Sequence, residues 1–164
     1  MIRIMREIGI DMGHRVSLHG SKCRNVHGHR YRIQAEIEGK LAQGGEQDGM
    51  VLDFGFLKND MLTFIDARCD HKLCLWVKDP LASFLFGPLY REAEQGVKFT
   101  GWFSEFIDHV GAVILIPSTP TAENLAELWF KWLRPSILEQ CRGRGALHSV
   151  TVWETPNCKA TFTG

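Results

Sequence analysis

His14, His27 and His29 are the residues whose types and spacing point most directly to chemistry. Ile2, Ile4, Ile8, Ile10 and Met12 alternate with Arg3, Glu7 and Asp11, the two-residue period of a half-buried strand, and His14 continues the apolar phase. Beyond a polar loop from Ser17 to Val26, Tyr31, Ile33, Ala35 and Ile37 alternate with Arg30, Arg32, Gln34, Glu36 and Glu38. His29 shares the inward phase of this second strand, and His27 shares it if the strand starts early. Gly28 between them allows close backbone approach. If the two strands pair, three imidazoles meet at one end of the sheet. Three neutral histidines leave a fourth tetrahedral position for water or substrate, as expected of catalytic rather than structural zinc. A single histidine in a strand is ordinarily a core or surface residue, so the metal reading rests on the convergence of all three. His19, His109 and His148 lack comparable placement, and His19 is the weaker substitute ligand.

Three further groups could act beside such a metal. Cys23 lies in the loop four residues before His27, where a nearby metal or protonated imidazole would favour the thiolate. It reads as a base or nucleophile, as a small buried hydrophobe, or as a fourth ligand that would close the site. Asp70 and His71 could form a proton-transfer pair, although adjacent side chains in an extended segment point apart, so a turn would be required. Otherwise they form an ordinary turn. Glu154 shares the inward phase of Val150 and Val152; a carboxylate there is costly unless it meets donors, such as a guanidine-like N–H edge of a ligand. The alternative is an exposed glutamate at a strand end.

The elements that position these groups follow from punctuation and period. Asp53 can cap a helix with Leu57, Met61, Phe64 and Ile65 on one face. Thr119 suits the N-cap of a second helix, with Pro120 in its first position and Leu125, Leu128, Trp129, Trp132 and Leu133 as its apolar stripe. Pro135 ends or bends it. Leu147 to Glu154 and Lys159 to Phe162 read as two more strands. The expected fold is α+β: a four-stranded antiparallel sheet with two helices on one face, in the order β-β-α-α-β-β. Residues 76–118, between the helices, read as an irregular insertion holding one short helix at most. The whole chain, 1–164, reads as one domain.

Composition narrows the class. The 19 basic and 19 acidic residues balance to a net charge of zero, which argues against a nucleic-acid partner. No apolar run is long enough for a membrane span, and residues 1–11 lack the apolar block of a signal peptide. Five cysteines, an odd number without paired CxxC spacing, argue against a disulfide framework and for a reducing, cytoplasmic setting.

Taken in order, GHR at Gly13 to Arg15, CRNVHGH at Cys23 to His29, LDFGFLK at Leu52 to Lys58, CDHKL at Cys69 to Leu73, TPTAENLA at Thr119 to Ala126 and VWETPN at Val152 to Asn157 resemble the 6-pyruvoyl- and 6-carboxytetrahydropterin synthase family. Any one motif is weak; the ordered set is specific and spans the chain outside the insertion. The resemblance implies the tunnelling fold, whose subunits join their sheets into a barrel, commonly a hexamer, with active sites at subunit interfaces. It implies zinc on His14, His27 and His29, a catalytic thiol at Cys23, and a proton-transfer pair at Asp70 and His71 that can come from a neighbouring subunit. It further implies Glu154 as the anchor of a pterin ring, with Thr119 and Thr121 lining its pocket. Three residues separate Cys23 from His27, a spacer similar to that of the carboxy-forming branch on the route to queuosine. That branch is a zinc-dependent carbon–carbon lyase, converting 7,8-dihydroneopterin triphosphate to 6-carboxy-5,6,7,8-tetrahydropterin with release of acetaldehyde and triphosphate. The alternatives are the pyruvoyl-forming reaction, which eliminates triphosphate, and a non-catalytic zinc-stabilised binding module. The long insertion departs from the family pattern and bears on substrate choice.

Overall fold

A computed structural model describes residues 1–86 and 113–164. The strands are β1 (Ile2–His14), β2 (His27–Gly39), β3 (Leu73–Trp76), β4 (Val113–Ile116), β5 (Gly145–Thr155) and β6 (Cys158–Thr163). The helices are α1 (Phe54–Met61), α2 (Ala67–Cys69), α3 (Pro80–Phe86) and α4 (Ala122–Cys141), with a π-helical turn at Leu62–Asp66 between α1 and α2. Among the described residues the sheet has six strands in the order β4-β3-β1-β2-β5-β6. This corrects the expected four-stranded antiparallel sheet. β5 pairs antiparallel with β2 and β6, but β3 pairs parallel with β1 and β4 parallel with β3. The two added strands read LCLW and VILI, short apolar runs without alternation, as suits parallel strands covered on both faces. The expected insertion therefore includes α3 after β3 and β4 before α4. Its remainder, residues 87–112, and with it His109, lies outside the described residues.

The chain forms two compact units from interleaved segments. The first comprises Met1–Ile10, Arg30–Asp70 and Ala122–Gly164. Its core is the inward face of β2 and β5, where Tyr31, Ile33, Ala35, Ile37, Val150 and Val152 are fully buried. α4 lies against β5 and β6, with the Trp129 ring edge-on to Tyr31 at 6.3 Å and Phe130 against Phe162 at 5.1 Å. Its buried stripe is Leu125, Ala126, Trp129, Phe130, Leu133, Ile137 and Cys141. Leu128 and Trp132, expected inside, sit only half-buried at its edge. The helix starts at Ala122, so Thr119 is not its cap and Pro120 not its first residue, and it runs on through Pro135 to Cys141.

Asp53 caps α1 as expected, accepting from the Gly55 amide. Leu57, Met61, Ile65 and Cys69 are buried at strict four-residue spacing. In a regular α-helix that spacing overshoots a full turn by roughly 40° each time and would carry the stripe off the core. The π turn at Leu62–Asp66 is wider and returns Ile65 and Cys69 to the buried side. Burying each large side chain in this row contributes about 1.5–3 kcal/mol.

The second unit comprises Asp11–His29 and His71–Thr121. Within it β1 and β3 align Gly13 with Leu73 and His14 with Cys74. A small core of Leu75, Ala82, Phe86, Val113 and Leu115 joins α3 to β3 and β4.

Two features of the first unit yield measurable expectations. Gly39 and Gly145 face each other across β2 and β5, and a Cβ on Gly145 would lie 2.5 Å from the Glu38 carbonyl and 2.8 Å from the Gly39 Cα. Gly145→Ala should cost about 1–3 kcal/mol in denaturant unfolding, as overpacking does. Asp60 of α1 accepts from Gln140 Nε2 of α4 at 2.8 Å, and burial raises its carboxyl pKa against the opposing hydrogen bonds of Ser136 and Gln140. The folded chain thus holds this proton more tightly than the unfolded chain, so its contribution to stability falls as pH rises above the ordinary carboxyl value of 3.8. Asp60→Asn keeps an acceptor without ionising, and should flatten that part of the stability–pH curve measured by thermal unfolding.

Candidate metal centre

Opposite ends of β1 and β2 meet. Arg3 Nε bonds Glu38 at 2.7 Å and Gln34 Nε2 bonds Glu7 at 2.7 Å, while a Cβ on Gly28 would lie 3.3 Å from the Met12 carbonyl. These contacts run in opposite directions along the two strands, so the pair is antiparallel. The same offset sets His14 across from His27, with His29 one inward step further along β2.

The three imidazoles consequently converge. Their ring centroids are 4.5 Å apart for His14 and His27, 5.2 Å for His14 and His29, and 5.0 Å for His27 and His29. One ring nitrogen from each lies within 4.8 Å of the others. His14 is 1% exposed, and the other two are half-buried.

Two backbone carbonyls orient the rings. His14 Nδ1 is 2.7 Å from the Pro120 oxygen, and His27 Nδ1 is 2.8 Å from the Asn25 oxygen. A carbonyl only accepts, so each Nδ1 carries the hydrogen, which in the neutral ring leaves the Nε2 lone pair for a metal. Such outer contacts fix tautomer and ring direction in metal sites generally. The donor set suits a borderline divalent ion, and three imidazole nitrogens could hold one with a position to spare.

Cys23 sits in the 3-10 turn Lys22–Arg24, half-exposed, and its carbonyl accepts from the Val16 amide at 2.9 Å. That bond ties its loop to the chain two residues past His14. His71 has φ +55°, the left-handed turn needed to redirect the chain after Asp70, whose own backbone is extended. The His71 amide bonds the Asp11 carbonyl at 2.7 Å and Gly13 N bonds Lys72 O at 2.9 Å, which sets this turn beside the last residues of β1. Thr119 and Thr121 flank the carbonyl that holds His14, and the Thr121 amide bonds the Thr119 oxygen at 2.8 Å. Glu154 belongs to the first unit, as does Asp70; it follows the buried Val150 and Val152 on β5, where the register to β6 shifts between Trp153 and Thr155.

Sequence reasoning missed the two carbonyl anchors, which carry no side-chain signal, and a buried ion pair. Arg15 Nε lies 3.2 Å from Asp79 Oδ2, an ionic contact whose angle falls short of a hydrogen bond, and Asp79 is fully buried. The Asp79-Pro80 pair, an N-cap residue followed by proline, is the local signal that could have marked this helix start.

The sequence profile described as 6-pyruvoyl tetrahydropterin synthase matches residues 3–164. The chain belongs to this family. It is 32% identical over 159 residues to a 6-carboxy-5,6,7,8-tetrahydropterin synthase of Rickettsia bellii, covering 96% of this chain and 97% of that one. A protein of the same name from Haemophilus influenzae is 29% identical over 95% of this chain and 94% of its own length. Among solved structures, an uncharacterised Wolinella succinogenes protein shares the fold, with a TM-score of 0.76 at 24% identity over 99% of this chain and 98% of that one. The Caenorhabditis elegans 6-pyruvoyl tetrahydropterin synthase shares it with a TM-score of 0.61 at 22% identity, over 99% and 95% of the two chains. No helix among the described residues is long and apolar enough to cross a membrane.

A three-imidazole centre should take up one divalent ion per chain. Removing a ligand, as in His29→Ala, should weaken zinc binding by more than about 100-fold, beyond the 10–100-fold typical of losing an outer contact. Competition against a chromophoric chelator measures this.

Proposed function

We propose that this chain is a zinc-dependent 6-carboxytetrahydropterin synthase, a carbon–carbon lyase acting on 7,8-dihydroneopterin triphosphate on the route to queuosine and related deazapurines. The observation that carries the reading is the meeting of His14, His27 and His29 beside a loop that bears a half-exposed thiol. The relatives named for this activity match over nearly the full chain.

Zinc held by the three histidines would supply a Lewis acid for the hydroxyls of the substrate side chain. The remaining work falls to the protein's own groups. Cys23, as thiolate, removes a proton from the side chain, and His71 returns one on the ring side, with Asp70 stabilising the imidazolium. The left-handed backbone at His71 is the kind of local strain that persists where a side chain must be aimed. Glu154 accepts from the guanidine-like edge of the pterin and fixes the reacting carbons against these groups, while Thr119 and Thr121 line the ring's pocket. Cleavage releases acetaldehyde and triphosphate. One water is consumed and supplies the second carboxylate oxygen, and the ring gains two hydrogens as the retained side-chain carbon is oxidised to carboxylate, so no external redox partner is needed. By the family resemblance the working form is a homo-oligomer, a hexamer, with sites at subunit interfaces and Asp70 and His71 contributed across them.

Incubation of zinc-loaded protein with 7,8-dihydroneopterin triphosphate should yield acetaldehyde and the 6-carboxy product. Triphosphate release without acetaldehyde would assign the pyruvoyl-forming reaction instead. Cys23→Ala should keep its zinc and lose turnover by about 10²-fold or more; loss of zinc in that variant would make Cys23 a fourth ligand and the chain a zinc-stabilised binding module.

A further inference from the structure

Asp79 is the one charged residue among the described residues with no solvent exposure. Its surroundings show what it holds. Its amide bonds the Trp76 carbonyl at 2.9 Å, its Oδ1 accepts from the Leu81 amide at 2.8 Å, and its carbonyl accepts from Ser83 N at 3.2 Å. These bonds cap α3 and fix the carboxylate against the end of β3. The other oxygen, Oδ2, faces Arg15 Nε at 3.2 Å. Arg15 directly follows His14, and the Val16 amide directly after it holds the Cys23 carbonyl. Three consecutive residues thus meet a metal-site imidazole, a buried carboxylate and the thiol-bearing loop.

A buried ion pair is poor evidence for stability, because desolvation offsets its attraction and an apolar pair of similar size often does as well. A helix cap needs only one carboxylate oxygen. Neither role accounts for a fully buried aspartate aimed at Arg15. Holding Arg15 does fix the backbone immediately after His14, at the open end of β1, where strand pairing stops constraining it. His14 is then held through its ring by Pro120 and, beyond its pairing with Cys74 of β3, through the backbone that follows it by Arg15.

We propose that Arg15 and Asp79 form a positioning pair for the metal site, through which α3 sets the place of His14 and of the Cys23 loop. This rests on the metal reading above. Asp79→Asn keeps the cap acceptor and the side-chain shape while removing the charge that holds Arg15. We expect it to retain the wild-type far-UV circular dichroism and to bind zinc 10–100-fold more weakly in chelator competition, the size of an outer-shell loss. Should Asp79→Asn fail to fold, the double variant Arg15→Gln/Asp79→Asn, which leaves neither charge buried alone, carries the same expectation. A folded variant with wild-type zinc affinity overturns the proposal while leaving the metal reading intact. Wild-type protein that binds no zinc overturns both.

Discussion

The register between β1 and β2 is the constraint on which the rest of the site depends. Side chains alternate faces with a period of two, so a one-residue slip would send His14 to one side of the sheet and leave His27 and His29 on the other. Nothing local to the histidines prevents this. The register is set along the strands, where Arg3 meets Glu38, Gln34 meets Glu7, and Ile8, Ile10, Met12, Tyr31, Ile33 and Ile37 are buried in alternation. The buried face rewards one pairing, and the histidine cluster inherits it.

Bringing three imidazoles together, one of them 1% exposed, sacrifices hydration of polar ring nitrogens. The chain limits the cost by giving both Nδ1 atoms it is seen to orient a backbone carbonyl. Those carbonyls come from segments of different origin: Asn25 from the loop just before β2, and Pro120 from the approach to α4. The site is thus assembled by the strand pair and trimmed by loops, an arrangement in which precision comes from the sheet and adaptability from the connections.

The parts legible in the sequence were those with a long period or a local cap. The alternation of β1 and β2 placed His14, His27 and His29 on one face, and Asp53 was readable as a cap because its side chain acts within its own turn. β3 and β4 were hidden because four apolar residues in a row have no period, and parallel pairing leaves no hairpin signal. The start of α4 was misplaced because Thr119, Pro120 and Thr121 all suit a helix entry; the Pro120 carbonyl is instead engaged by His14, an interaction 106 residues away in sequence. Likewise, no pattern near Arg15 announces Asp79. Such links between distant segments are fixed only by the tertiary structure.

X-ray absorption at the zinc edge of the loaded protein distinguishes an open centre of three imidazoles from a closed one. Three imidazoles with an open position give nitrogen and oxygen neighbours only, at about 2.0–2.1 Å, with multiple scattering from the three rings. A sulfur neighbour at about 2.3 Å would contradict the open centre, because Cys23 would then close the site.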